Sequence, residues 1–90
     1  MRFDWDEEKA RRNFAKHGVT FQEAATVLGD TLGWTYSDSR HSVFERRWIT
    51  IGMSDQHRVL VVSHSEEDEM IRIISAREAT RQERRFYEEG

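Results

Sequence analysis

The amino-acid sequence predicts an α+β domain with two N-terminal helices, a four-stranded, mainly antiparallel sheet and one C-terminal helix. Two observations predict this class. Apolar residues recur at helical spacing near both ends of the chain, whereas residues 31–75 contain runs rich in β-branched and aromatic residues. The polar turns between those runs have hairpin length, which favours antiparallel strands with helices packed on them. All 90 residues are expected to form a single domain, 1–90.

The first helix is predicted to begin near Asp4 or Asp6 and to end at about His17. Asp4 and Glu7 have the spacing of a capping box, in which each side chain binds a backbone amide at the start of the helix. Gly18 follows as a residue that readily adopts the left-handed conformation of a helix end.

The second helix is predicted to begin just after Thr20, which forms another capping-box pattern with Glu23. Gly29 is its expected stop. The residues between them carry an apolar stripe at helical spacing, formed by Phe21, Ala24, Ala25, Val27 and Leu28.

Four strands are predicted at residues 31–36, 43–53, 58–63 and 70–75. The third contains four consecutive apolar residues, 59–62, which indicates a central strand buried on both faces.

The last helix is predicted to begin at Ser75, in a capping box with Glu78. This interpretation places Arg72 on a strand and Arg77 in the first helical turn. Free backbone amides and the positive end of the helix dipole would then join two guanidinium groups, an arrangement suited to phosphate. The alternative is that Arg77 belongs to a solvated helix face that pairs with neighbouring glutamates.

The composition of the chain excludes several kinds of catalytic chemistry. The chain has a formal net charge of -3 and no cysteine, so disulfides and thiolate chemistry are excluded. The four histidines follow no known metal-ligand spacing, no glycine-rich phosphate loop is present, and neither a metal nor a cofactor is expected. With neither a membrane-spanning run nor a signal peptide in the sequence, a cytoplasmic location is expected.

Two further residues could transfer protons. His64 lies at the end of the predicted buried strand, and it is either a proton donor and acceptor or an ordinary structural histidine. Glu45 shares a strand face with Arg47, while Arg46 faces the other side. Glu45 is either a general base beside a phosphate-binding arginine, or part of a charged edge that discourages strand pairing.

Three stretches together resemble a known family. They are FDWDEEKARRNFAKHGVTFQEA (residues 3–24), HSVFERRWITIG (41–52) and RIISAREATRQERRFYEE (72–89). In combination and in this order they are similar to the BrnT family of toxins from bacterial type II toxin–antitoxin systems. The resemblance implies a RelE-like fold and ribonuclease activity. It also implies neutralisation by a ribbon-helix-helix antitoxin, repression of the shared promoter by the complex, and a toxin dimer within that complex.

The resemblance suggests metal-independent cleavage of RNA, with the 2′-hydroxyl attacking the adjacent phosphate. Arg72 and Arg77 would stabilise the phosphoryl charge, and Glu45 or His64 would remove the proton. A histidine or Tyr87 would assist the leaving oxygen. The predicted catalytic set is Glu45, Arg47, His64, Arg72, Arg77 and Tyr87. RNA binding is assigned to Lys16, His17, Arg46 and Trp48, and antitoxin binding to Arg81, Arg84 and Arg85.

A second interpretation remains open at this stage. The chain could be a non-catalytic module whose arginine-bearing helix binds an acidic partner and whose sheet edge accepts a strand from it.

Overall fold

The computed structural model describes residues 2–41 and 46–90. The α+β class is confirmed, with five strands in a single sheet of order β1-β5-β4-β3-β2. All neighbouring strands are antiparallel except β1 and β5, which are parallel. In chain order the elements are β1 (Arg2–Asp4), α1 (Glu7–His17), α2 (Phe21–Val27), β2 (Trp34–Ser37), a single 3-10 turn (Ser39–His41), β3 (Arg47–Met53), β4 (Val59–Glu67), β5 (Met70–Glu78) and α3 (Arg81–Glu89).

The predicted count of four strands is wrong because β1 also joins the sheet. Its three residues pair in parallel with β5, from Arg2 opposite Met70 to Asp4 opposite Arg72. Three residues are too few for apolar and polar positions to alternate visibly, so periodicity does not distinguish this strand from the lead-in to a helix.

The start of α1 follows from this pairing. Because Asp4 lies in β1, Asp6 is the residue that caps the helix, and its carboxylate accepts from the amides of Glu8 at 2.8 Å and Lys9 at 3.1 Å. The predicted stop is confirmed: Gly18 has a φ of 69° and its amide donates to the Phe14 carbonyl.

In α2 the cap at Thr20 is confirmed, and its hydroxyl accepts from the Glu23 amide at 3.0 Å. The helix ends at Val27, two residues before the predicted stop at Gly29. The Glu23 carboxylate binds Ser54 and Arg58, so this side chain connects the helix to the turn between β3 and β4.

The last helix begins later than predicted. β5 continues through Glu78 because β4 offers hydrogen-bonding partners as far as Leu60, so Ser75 and Arg77 lie in a strand. The capping-box pattern occurs twice in this stretch, and α3 uses the second copy, Thr80 with Glu83.

The two faces of the sheet are packed differently. On the covered face, α1 and α2 enclose the larger cluster, Val19, Phe21, Ala24, Val27, Leu60, Val62, Ile71, Ile73 and Ala76. On the open face, α3 packs over a smaller cluster of Ile51, Val59 and Val61, and it contributes no fully buried residue. β4 is central and buried along residues 59–62, as predicted. In the part of the chain that the structure describes, no helix is long and apolar enough to cross a membrane.

Candidate active site

A groove of about 380 Å³ lies on the open face, across the middle three strands. Its position follows from the register, because Ser63 on β4 pairs with Ile49 on β3 and with Ser75 on β5. Side chains two positions apart on a strand share a face, so Arg47 and Arg77 lie on this same face at opposite ends of the groove. The polar residues that line it are His17, Asp38, Arg47, Ser63, Ser75 and Arg77.

Arg77 is held by a carboxylate. Its two terminal nitrogens, Nη1 and Nη2, donate to the Glu83 oxygens at 2.7 and 2.9 Å, and Nη1 also donates to the Glu78 carbonyl at 3.3 Å. The hydrogen bonds from Arg77 lower the pKa of Glu83 to about 2, and those to Glu83 raise the pKa of Arg77. The guanidinium group is therefore charged and oriented before any ligand arrives.

His17 reaches the groove because α1 is fastened to β5. One turn before His17, the buried Asn13 side chain donates to the Ala76 carbonyl at 2.8 Å and accepts from the Ala76 amide at 3.1 Å. The Asn13 side-chain amide also donates to the Val19 carbonyl at 3.1 Å. Asn13 therefore positions the end of α1, a role that one polar residue within a helical pattern does not reveal.

Arg47 begins β3, and its carbonyl accepts from the Asp38 amide at 2.9 Å. This bond brings the loop after β2 to the edge of the groove, so that Asp38 joins the lining. Neither Asp38 nor the two serines was predicted from the sequence. The available signal was Ser63 interrupting the apolar run of β4, since a buried central strand seldom presents a polar side chain without a use for it.

Arg72 is not part of this groove. It lies five residues before Arg77 on the same strand, which separates the two by roughly 15 Å, and its guanidinium binds Asp4 of β1 at 2.5 Å. The predicted pairing of Arg72 and Arg77 at a strand–helix junction is wrong, because the junction lies beyond Glu78.

His64 is buried on the covered face and lies away from the groove. Its Nε2 is 2.8 Å from the Thr50 hydroxyl, which in turn is 2.7 Å from the Thr35 hydroxyl. Burial lowers the pKa of His64 to about 4, so the ring is neutral at pH 7. Its Nδ1 has no hydrogen-bond partner among the described residues, and the Glu66 carboxylate is 3.8 Å away.

Tyr87 also lies outside the groove. Its hydroxyl donates to the Asp30 carboxylate at 2.6 Å, and this bond raises the pKa of Tyr87 to about 12. Asp30 also accepts from the backbone amides of Leu32 and Met53. The tyrosine therefore fastens α3 to the end of α2 and to β3.

The remaining predicted residues divide by location. Lys16 is exposed beside His17, and Arg46 is exposed just before β3, whereas Trp48 alternates with Arg47 and faces the covered side of the sheet. Glu45 lies outside the described residues. The side chains assigned to partner binding, Arg81, Arg84 and Arg85, are exposed on α3. Arg81 and Arg85 lie opposite Glu83, and Arg84 lies about a quarter turn from it. Within residues 2–41 and 46–90, no three acidic, histidine or cysteine side chains are placed to hold a metal ion.

Comparison with known proteins gives a consistent result. A family profile described as "Ribonuclease toxin, BrnT, of type II toxin-antitoxin system" matches residues 5–83. Among solved structures, the chain is similar to the ribonuclease toxin BrnT of Brucella abortus, with a TM-score of 0.69 and 25% sequence identity. The alignment covers 90% of this chain and 99% of the Brucella chain. No curated protein matches. The chain therefore belongs to the BrnT family of ribonuclease toxins of type II toxin–antitoxin systems.

Proposed function

We propose that this chain is a metal-independent endoribonuclease that arrests bacterial growth by cleaving RNA in the cytoplasm. The observation that carries the proposal is the groove on the open face, in which Arg47, Arg77 and His17 line one surface. Family membership supplies the class of substrate. The groove offers what cleavage of a phosphodiester needs, namely fixed positive charge and an imidazole that can donate or accept a proton.

The proposed reaction is attack of the RNA 2′-hydroxyl on the adjacent phosphorus. The bond to the 5′-oxygen of the next nucleotide breaks, and a 2′,3′-cyclic phosphate remains. Arg77 has five N–H groups, of which three bind Glu83 and Glu78. The Nε hydrogen and one on Nη2 are left for a phosphoryl oxygen. Arg47 acts on the phosphate from the opposite end of the groove.

His17 takes the acid–base role that the sequence assigned to His64. A general acid or base must be able to reach the substrate, and His17 is only partly buried and lines the groove. His64 stays neutral above its lowered pKa and is sealed under the helices. Glu45 is retained as the second acid–base group, on the basis of its place two residues before Arg47.

The test is cleavage of a single-stranded RNA with EDTA present. The wild-type protein is expected to remain active and to leave cyclic phosphate ends. Arg77→Ala should lower the cleavage rate about 100-fold. In other enzymes, a loss of this size follows removal of one hydrogen-bond donor to the charge that develops in the transition state. His17→Gln should lower the rate by a similar factor. Full activity of Arg77→Ala, or complete dependence on a divalent metal, would contradict the proposal.

The antitoxin surface is a separate part of the proposal. Arg81, Arg84 and Arg85 form no ion pair with any residue that the structure describes, whereas Arg11, Arg58 and Arg77 each do. These three side chains make the outer face of α3 a basic surface for an acidic segment of the ribbon-helix-helix antitoxin. Toxin and antitoxin are proposed to form a heterotetramer around a toxin dimer, which binds operator DNA only through the antitoxin.

This surface is tested by measuring antitoxin affinity for the double variant Arg84→Glu/Arg85→Glu. At least a tenfold loss is expected, since like charges then face each other across the interface. Arg11→Glu on α1 is the matched control and should bind normally. Unchanged affinity of the double variant would place the antitoxin elsewhere.

The exposed arginines and the exposed edge strand β2 also suit a purely binding role. Expression of the chain alone in a bacterium separates the two functions. Growth arrest with falling mRNA supports the nuclease, whereas unchanged growth and RNA supports the binding module.

A further inference from the structure

We infer that a second depression beside the groove binds one nucleobase of the RNA, next to the phosphate that is cleaved. This inference rests on the proposed ribonuclease function and adds a base-binding site to it. The depression has a volume of about 410 Å³ and lies between β2, β3 and α3. Its lining includes Tyr36, Ile51, Gln82, Glu83 and Phe86.

The depression and the groove share a boundary. Glu83 lines the depression, and the same carboxylate binds Arg77 of the groove through two hydrogen bonds. On the sheet, Tyr36 pairs directly with Ile49, which forms part of the groove floor. A nucleotide whose phosphate contacts Arg77 therefore has the depression immediately beside it.

The lining suits a base better than it suits a charged group. Tyr36 and Phe86 are 46% and 49% exposed, so a large part of each ring is accessible to a ligand. Phe86 is held by Trp34, with 5.4 Å between the ring centroids. Aromatic faces of this kind stack bases of single-stranded RNA, and the Gln82 amide offers both a donor and an acceptor to a base edge.

The location favours RNA over a protein segment. Arg81 and Arg85 lie on the far side of α3 from Glu83, and Arg84 lies about a quarter turn from it, so the proposed antitoxin surface is centred away from this depression. Trp48, which was predicted to bind RNA, faces the covered side of the sheet. Tyr36 and Phe86 therefore replace it as the stacking residues.

The experiment measures affinity for a short single-stranded RNA that carries 2′-O-methyl groups and so is not cleaved. A set of probes is made in which one nucleotide at a time, on either side of the mapped cleavage position, lacks its base. The wild-type protein should lose about tenfold in affinity at one abasic position. Tyr36→Ala should lose about as much with the intact probe and nothing further at that abasic position. Tyr36→Phe should bind normally.

Controls separate this site from a folding defect. Phe14→Ala removes an equally exposed aromatic ring from α1 and should not change RNA affinity. Gln82→Ala, on the exposed side of α3, keeps the stack and should change only the preference among bases. If Tyr36→Ala does not fold, the same abasic comparison is made with Phe86→Leu.

Each outcome has one meaning. Active wild-type protein with no abasic position coupled to Tyr36 or Phe86 overturns the base site and leaves the nuclease intact. Failure of the wild-type protein to bind or cleave RNA overturns the proposed function itself. Loss of antitoxin binding in Tyr36→Ala, with RNA affinity unchanged, reassigns the depression to a protein partner and overturns the inference.

Discussion

The two sides of the sheet each have a histidine and an arginine, but these side chains are enclosed on the covered side and accessible on the open side. On the covered side, His64 is sealed with a lowered pKa, and Arg58 is bound to the buried carboxylate of Glu23. On the open side, His17 lines a groove, and Arg77 keeps N–H groups available after binding Glu83. Residue type alone therefore does not identify the site, because the packing of helices decides which histidine and which arginine can meet a substrate.

The comparison leads to a general expectation. Substitutions of polar residues beneath the helices should change the free energy of unfolding and leave cleavage intact. Substitutions of groove residues should lower the rate of cleavage and leave the free energy of unfolding nearly unchanged. Four measurements, taken from the largest expected effect to the smallest, can sharpen or break this division.

The largest effect concerns the pH dependence of stability through His64. The unfolded chain binds a proton at this residue below about pH 6.5, whereas the folded protein does so only near pH 4. The free energy of unfolding should therefore fall by about 3 kcal/mol as the pH decreases through that window, and be fully restored above it. Urea unfolding at several pH values measures the slope.

Two variants isolate this contribution. His64→Gln should be less stable at pH 7 but should lose most of the slope between pH 6.5 and 4. His57→Asn is the control, because it removes an exposed histidine from a turn whose φ of 63° asparagine tolerates. The slope that comes from His64 should remain in this variant. An unchanged slope in His64→Gln would mean that His64 is not a sealed neutral histidine.

The second effect concerns Arg58, whose removal leaves Glu23 buried without its charge partner. Arg58→Ala should lower the free energy of unfolding by about 2 kcal/mol, a value reduced from that of a fully buried pair because the arginine is 30% exposed. Arg11→Ala breaks an exposed pair with Glu8 and should cost less than about 0.5 kcal/mol. Thermal unfolding compares the two variants. Equal losses of stability would show that burial of Glu23 does not raise the cost of breaking its ion pair.

The third effect concerns Tyr87. Tyr87→Phe removes the hydrogen bond to Asp30 and should lower the free energy of unfolding by about 1 kcal/mol. Cleavage measured well below the melting temperature should stay within about twofold of the wild-type rate, because the hydroxyl does not line the groove. A large loss of cleavage in a folded Tyr87→Phe protein would restore the catalytic role that the resemblance suggested.

The smallest effect concerns Arg72, which shares the open face but lies outside the groove. Arg72→Ala should change stability by about 0.5 kcal/mol or less, because its ion pair with Asp4 is half-exposed. RNA cleavage should remain near the wild-type rate. The cleavage rates of Arg72→Ala and Arg77→Ala are then compared. Equal losses of activity in the two variants would show that positive charge on the open face, rather than position in the groove, governs cleavage.

The fold was predictable wherever local signals were strong. Gly18 and Thr20 mark helix boundaries that the structure confirms, and the apolar run at residues 59–62 identifies the central strand. The errors have physical causes. β1 exists only because β5 provides an edge for it, and β5 extends past Ser75 only because β4 provides partners. The pairing of one strand with another leaves no trace in the periodicity of either strand's own sequence.

The site was predictable in part for the same reason. Arg47, Arg77 and His17 were all selected from the sequence, and the structure brings them to one groove. Their grouping depends on strand register and on the anchoring of α1 by Asn13, neither of which is visible in periodicity. Arg72, His64 and Tyr87 were selected by residue type and motif, and each has a protein partner elsewhere.

The bond between Asn13 and Ala76 also bears on when the groove is completed during synthesis of the chain. It joins residues 63 positions apart, and the groove needs both ends of that span. The nascent chain lacks β5, and with it both Arg77 and the strand that binds Asn13, until all but its last residues have been synthesised. Because such distant contacts form late, the groove is assembled only near the end of translation.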